Sequence, residues 1–272
     1  MNLIETQKFA LRQAQDFTER LAVKAGALLL KKFGHSKIKV QKGPSDFATD
    51  ADLASEKLII KEIKKHFPED EILAEESNYH EARSLKHETR TWVIDPLDGT
   101  KNFHFGLPNW CVSIALQIKG KSVVGVVYAP VAKQLFSARK GAGAKLNGQK
   151  IHVSTQNKIE HSLILAEIPR RHTSGQRFAR DLAAFTKSLN KVQRVRAFAS
   201  AAYDLALVAR GAADGYLDFS RNTKIWDIAA GELLIREAGG RVSDVTLPTL
   251  KFPNVSILAT NGKLHGELLK LL

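Results

Sequence analysis

In the stretch Trp92-Val93-Ile94-Asp95-Pro96-Leu97-Asp98-Gly99-Thr100-Lys101-Asn102-Phe103, two carboxylates flank a proline and are followed at once by Gly-Thr. Val93 and Ile94 favour a buried strand. Pro96 removes a backbone donor and restricts the residue before it, so the strand is predicted to stop near Asp95 with both acids at its end. A surface turn needs one Asp and a Gly, not a pair of acids braced by a proline. Three further acidic positions stand at the edges of apolar elements: Asp52, Glu75-Glu76 and Asp227. Each alone has an ordinary explanation, as a helix-start charge, a solvated strand end or a residue favoured by the helix macrodipole.

Their joint occurrence points to convergence. Two carboxylates about 4 Å apart repel by about 1 kcal/mol in water and about 4 kcal/mol at an effective dielectric of about 20. Four or five such groups need cations between them. All-oxygen ligands, without Cys or His, favour Mg²⁺ or Mn²⁺ over zinc. If a helix begins at Gly99-Thr100, its free N–H groups and dipole favour a phosphoryl group, and the glycine permits close approach. The Thr100 hydroxyl is suited to orienting a water, and a pair of divalent ions suits in-line displacement at phosphorus.

The elements that must hold these residues are legible in the periodicity. Phe17, Leu21, Ala25 and Leu28/Leu29 recur at helical spacing and predict one long helix over about residues 5–33. The polar GHSKIKVQKGPSDF after it reads as a hairpin or mobile loop. Thr49, with Asp52 three positions on, opens a second amphipathic helix carrying Ala54, Leu58, Ile59, Ile63 and Phe67, stopped by Pro68. EILAE, TWVID, CVSIALQI, SVVGVVYA and QLFSAR read as strands, with a hairpin at Gly120.

After the Gly-rich KGAGAKLNGQ the pattern changes to alternating strands and helices: SLILAEI, a helix around 174–189, VQRVRAF, SAAYDLALVARG, ADGYLDF, WDIAAGELLIREAGG, GRVSD, VSILAT and a terminal helix. Two subdomains sharing one fold are expected. Residues 1–150 form an N-terminal α+β unit with most of the acids, and 151–272 an α/β unit supplying Asp227.

With 272 residues, 44% of them hydrophobic, the chain can bury a large core. The N-terminus has no continuous apolar run, and AGALLL is too short to span a bilayer, so a cytoplasmic protein with no membrane association is expected. Cys111 is the single cysteine, which excludes an intrachain disulfide and a Cys-rich metal site. The formal net charge of +13 is spread along the chain without an arginine-rich tract or nucleic-acid motif. Most of it reads as solvated surface, and the remainder is suited to steering a phosphorylated substrate; nucleic acid stays open as a partner.

WVIDPLDGTKNF and WDIAAGELLIREAGG together resemble the two signatures of the inositol monophosphatase family of Mg²⁺-dependent phosphatases. SDFATDADLASE, AEES, GVVYAP, KGAGAKLNGQKIHVS and SAAYDLALVARGAADGYLD resemble its connecting blocks in the right order, so the resemblance covers nearly the whole chain. It implies an α/β (α+β) layered αβαβα sandwich of the inositol monophosphatase and fructose-1,6-bisphosphatase sugar-phosphatase type. It implies a homodimer and inhibition by lithium. It implies two or three Mg²⁺ per site, held by Glu75, Asp95, the Leu97 carbonyl, Asp98 and Asp227, with Asp52 serving a further ion through water. Thr100, paired with Asp52 and supported by Glu75, would activate the attacking water. The Gly99 and Thr100 amides would hold the phosphate, and Asp98, Ala201 and Asp218 would meet the hydroxyl-bearing part of the substrate, with Asp227 also guiding the leaving oxygen.

This sequence departs from the family pattern at three places. Ala199 stands where many relatives have glycine before Ser200-Ala201. Phe105 replaces a common histidine before Gly106. The stretch between Asp218 and Trp226 is longer than in animal members and carries Arg221 and Lys224. All three fall at the substrate end and leave the metal ligands untouched, so they bear on the substrate more than on the chemistry. The resemblance makes inositol 1-phosphate the first substrate expected, with fructose 1,6-bisphosphate, 3′-phosphoadenosine 5′-phosphate and NADP as alternatives, and an RNA or transcription-complex role as a different class. Trp92 and Trp226 read as buried anchors beside ligands. Cys111 reads as packed, His104 as surface or supporting, and Arg170-Arg171-His172 as an exposed loop.

Overall fold

In the computed structural model, residues 3–43, 46–77, 90–169, 175–245, 250 and 255–272 are described. Helix α1 (Leu3–Leu30) buries Leu21, Ala22, Ala25 and Leu29, the face its periodicity marks out, and ends three residues before the expected boundary. Strands β1 (Ile38–Gly43) and β2 (Asp46–Thr49) pair antiparallel, so the segment after α1 is a hairpin. Helix α2 (Asp50–His66) begins at a reciprocal cap: Thr49 Oγ1 accepts from the Ala51 amide at 3.2 Å, and Asp52 Oδ2 accepts from the Thr49 amide at 2.8 Å.

The first sheet has seven strands in sequence order: β3 (Glu71–Ala74), β4 (Arg90–Asp98), β5 (Cys111–Ile118), β6 (Lys121–Ala129), β7 (Gln134–Arg139), β8 (Ala144–Leu146) and β9 (Gln149–Ile151). All neighbours are antiparallel except β3 and β4. The last two strands lie in the Gly-rich stretch, where no strand was expected. Strand β4 also corrects the reading of Pro96 as a terminator, since it continues to Asp98. The register against β5 shifts between Asp95 and Asp98, and this bulge accommodates a residue that cannot donate to the ladder.

Helix α3 (Thr100–His104) follows β4 directly. The second sheet has the order β11 (Arg194–Arg196), β10 (Leu163–Ala166), β12 (Gly215–Thr223), β14 (Val255–Thr260), β13 (Arg241–Asp244). Its helices are α4 (Gly175–Leu189), α5 (Ala201–Ala209), α6 (Ile225–Glu237) and α7 (His265–Leu269).

Three cores stack these elements. One seals α1 and α2 onto the first sheet through Trp92, Ile94, Ile59 and Ile63. A second holds α5 and α6 between the two sheets, and a third closes α4 and α7 over the outer face of the second. The result is the expected αβαβα sandwich. Gly231 sets the spacing of its middle layer, because a Cβ there would lie 2.6 Å from the Leu205 Cβ. Among the described residues no helix is long and apolar enough to cross a membrane.

Candidate active site

The bulge in β4 lies among Asp95, Leu97 and Asp98, all of them buried at the strand's end. Asp95 Oδ1 accepts from the Leu97 amide at 3.0 Å, and the Pro96 carbonyl accepts from Ser55 Oγ on α2 at 2.9 Å. The cap that starts α2 fixes Asp52 there as well. Its Oδ2 is taken by the Thr49 backbone and hydroxyl, while Oδ1 lies 2.8 Å from Thr100 Oγ1. The same hydroxyl is 3.0 Å from the Leu97 carbonyl, so its one hydrogen has two acceptors, both on the protein side.

Gly99 joins β4 to α3 with φ of +86°, a left-handed conformation that side chains disfavour, and a Cβ there would lie 2.8 Å from the Asn109 carbonyl. The turn therefore requires glycine. Helix α3 has only five residues, so the N–H groups of this turn, rather than a long macrodipole, are what it offers an anion.

Glu75 and Glu76 follow β3, the parallel neighbour of β4. The Glu75 amide bonds the Ile94 carbonyl at 3.2 Å, and the Glu76 amide bonds Glu56 Oε2 at 2.7 Å. From the second half of the chain, α5 brings Ala201 and α6 brings Asp227 in its first turn, where Oδ2 accepts from the Lys224 amide at 2.7 Å. Asp218 is buried on β12 and bonded by the Thr223 hydroxyl.

These acids crowd one another. Burial, then the charges of Glu75, Asp98 and Asp227, push the Asp95 carboxyl well above its usual range. Burial and Glu75 do the same to Asp227, with Asp98 and Asp218 adding to the shift. Burial raises Asp98 to about 6 and also raises Asp52. Such a set, all oxygen and short of positive charge, fits hard divalent cations.

As the side chains stand, no three acids or histidines among the described residues form a ready metal clasp. The hydrogen bonds explain part of this: Lys42 Nζ reaches in from β1 to Glu75 at 2.8 Å and Glu76 at 2.7 Å. Burial opposes the Lys42 charge, but the two glutamates outweigh it and hold its pKa above normal, while burial and the Glu75 charge raise Glu76 to about 7.

Lys42, Ser200 and Asn102 were missed by sequence reasoning. Ser200 Oγ donates to Asp98 at 2.6 Å, and Asn102 Nδ2 reaches the carbonyls of Asn109 and Phe198 at 2.6 and 2.5 Å. Only Asn102, four residues after Asp98, stood close enough to an acidic motif to be marked. Cys111 is buried as expected. Trp92 is fully buried, with Nε1 donating to Asp70 at 2.8 Å, whereas Trp226 is only partly covered. His104 supports α3 through Ser36 at 3.2 Å and a ring contact with Phe47. Arg170, Arg171 and His172 lie outside the described residues, as does the side chain of Arg221.

Two sheets separated by a helical layer, with acids from both sides meeting around a Gly-Thr turn, define an α/β protein of the sugar-phosphatase architecture. The inositol monophosphatase family model matches residues 10–272, and the chain belongs to that family. It is 42% identical over 229 residues to the Nus factor SuhB of Escherichia coli K12, covering 84% of this chain and 83% of that protein. The crystal structure of the extragenic suppressor protein SuhB from Bartonella henselae is similar at a TM-score of 0.86 and 35% identity, covering 95% of this chain and 98% of that one. The inositol monophosphatase from Anabaena gives 0.82 and 35%, covering 96% of each chain.

Proposed function

We propose that the protein is a Mg²⁺-dependent phosphomonoesterase acting on a small polyol or sugar phosphate, inositol 1-phosphate first. The observation that carries this reading is the Asp52–Thr100 hydrogen bond beside the left-handed Gly99, at the end of a strand whose acid Asp95 lies buried among the charges of Glu75, Asp98 and Asp227. Glu75, Asp95, Asp98, Asp227 and the Leu97 carbonyl would hold the cations, with Asp52 serving a further one. Bound Mg²⁺ supplies Lewis acidity toward the phosphoryl oxygens and lowers the pKa of water.

The chain's own residues do the rest. The Gly99 and Thr100 amides cradle phosphate oxygens. Thr100 Oγ1 takes a proton from the attacking water as its own proton passes to Asp52 Oδ1, 2.8 Å away. Asp98, Ala201 and Asp218 orient the hydroxyl-bearing part of the substrate, and Asp227 guides the leaving oxygen. For Glu75 to serve a cation, Lys42 must release it.

The test is phosphate release from inositol 1-phosphate, fructose 1,6-bisphosphate, 3′-phosphoadenosine 5′-phosphate and NADP, with Mg²⁺ or a chelator, for the wild type and Asp98→Asn. Release that needs both Mg²⁺ and Asp98 is expected, with inositol 1-phosphate turned over fastest. Release that survives the chelator would overturn the metal mechanism, and a different ranking would move the substrate. A homodimer, measured by sedimentation, belongs to the same reading.

A second reading is favoured by the name Nus factor borne by the E. coli relative and by the net charge of +13: binding to RNA or a transcription complex. Such binding would weaken steeply with salt and be indifferent to Asp98→Asn. Loss of RNA retention already at physiological salt would remove it.

A further inference from the structure

Among the described residues, the hydrogen bonds to the Asp98 carboxylate fall on one oxygen. Oδ2 accepts from Ser200 Oγ at 2.6 Å, from the Ala202 amide at 2.9 Å and from the Tyr203 amide at 3.4 Å, with Cys111 Sγ at 3.6 Å. The two amides belong to the first turn of α5, where N–H groups have no partner inside the helix. Ser200 occupies the N-cap position of α5, yet its side chain makes no capping bond to that helix. The roles are exchanged: Asp98, 102 positions away, accepts from the helix end, and Ser200 donates to Asp98. Ser200 is completely buried, so no water can substitute for its hydroxyl without rearrangement.

A bond from a neutral donor to a buried carboxylate is among the stronger hydrogen bonds, and here it fixes the orientation of the Asp98 carboxylate. With Oδ2 occupied, Oδ1 is the oxygen this carboxylate has to offer a cation. A second tie fixes the same junction, because Asn102 bonds the Phe198 carbonyl. The segment 98–102 and the segment 198–203 are therefore stitched at both ends.

Resting on the phosphatase reading above, we infer that Ser200 is a positioning residue: its hydroxyl sets the orientation of the Asp98 carboxylate, and so couples cation affinity to the placement of Ala201 at the substrate end. Ser200 touches neither cation nor substrate in this role. It acts through Asp98.

The experiment uses the full chain with Ser200→Ala, Ser200→Thr and Ser200→Cys. Mg²⁺ affinity is measured by calorimetry without substrate, the unfolding midpoint with and without Mg²⁺, and kcat and KM for inositol 1-phosphate. Ser200→Ala is expected to weaken Mg²⁺ binding about tenfold, and Ser200→Thr, which keeps the hydroxyl, to restore it to within about twofold. Ser200→Cys, a weaker donor of similar size, should fall between, and it decides the matter if the alanine variant does not fold. At saturating Mg²⁺ the alanine variant should recover kcat more fully than KM, since Ala201 stays displaced. A merely structural role would lower the midpoint equally with and without Mg²⁺ and leave the Mg²⁺ constant unmoved; that result, or failure of threonine to rescue, overturns the inference. A wild type that neither binds Mg²⁺ nor releases phosphate would instead overturn the phosphatase reading, and this inference with it.

Discussion

Lys42 Nζ stands 2.8 Å from Glu75 Oε1, with both side chains about a quarter exposed, so the β1–β2 hairpin places its own cation on an acid proposed to hold Mg²⁺. A partly exposed ion pair contributes about 0.2–1 kcal/mol, which a competing cation must overcome. Lys42→Met is therefore expected to lower the Mg²⁺ concentration for half-maximal phosphate release by up to about fivefold. An unchanged or raised midpoint in a Mg²⁺ titration would mean that Lys42 yields Glu75 without cost.

Ala199 holds φ of +54°, in the left-handed region where a Cβ is strained, one residue before Ser200. Replacing it with glycine removes a strain of about 1–2 kcal/mol and adds a smaller entropy loss on folding. Ala199→Gly is expected to raise the unfolding free energy by about 0.5–1 kcal/mol, read by denaturant titration. A destabilised variant would show that this turn gains more from the stiffness of alanine than it loses to strain.

Asp204 on α5 is fully buried, and neither carboxylate oxygen has a hydrogen-bond partner among the described residues. Burial, with the charges of Asp98 and Glu167, pushes its pKa well above the usual value of 3.8. The folded state therefore keeps a proton that the unfolded chain gives up, so this group's contribution to stability falls as pH rises above about 4. Asp204→Asn should be more stable than the wild type at pH 7, with the advantage shrinking toward pH 4. Parallel stability curves for the two proteins would contradict this.

His265 is buried between the hydroxyls of Ser243 and Thr260, each 3.0 Å from a ring nitrogen. Burial, then Arg241 and Arg236, lowers its pKa to about 4 from 6.5. A lowered histidine pKa means that the unfolded chain binds the proton first, so stability is full above about pH 6.5 and is lost as pH falls toward 4. Thermal melts of His265→Gln should lose this part of the acid dependence. An unchanged slope between pH 6.5 and 4 would assign the acid sensitivity elsewhere.

Much of the architecture was legible because it is encoded locally. The stripe through Leu21, Ala25 and Leu29, the Thr49/Asp52 cap and the apolar runs of β4 to β7 all report a residue's surroundings through its near neighbours. The exceptions have local causes too. Pro96 reads as a stop but sits in a bulge, and β8 and β9 are short strands inside a Gly-rich stretch. Misjudging them left the acids of β4 in place but shortened the strand that carries them.

The sequence by itself determined which acids are present, that they stand at element ends, and that a glycine, Gly99, precedes a Thr hydroxyl. Tertiary structure decided how those acids are held. Ser200 meets Asp98 across 102 residues and Lys42 meets Glu75 across 33, pairings that no periodicity or spacing encodes. A hydrogen bond needs its partners within about 3 Å and aligned, and only the packing of α5 against the first sheet and of the β1–β2 hairpin beside α2 and α3 brings these atoms to that distance.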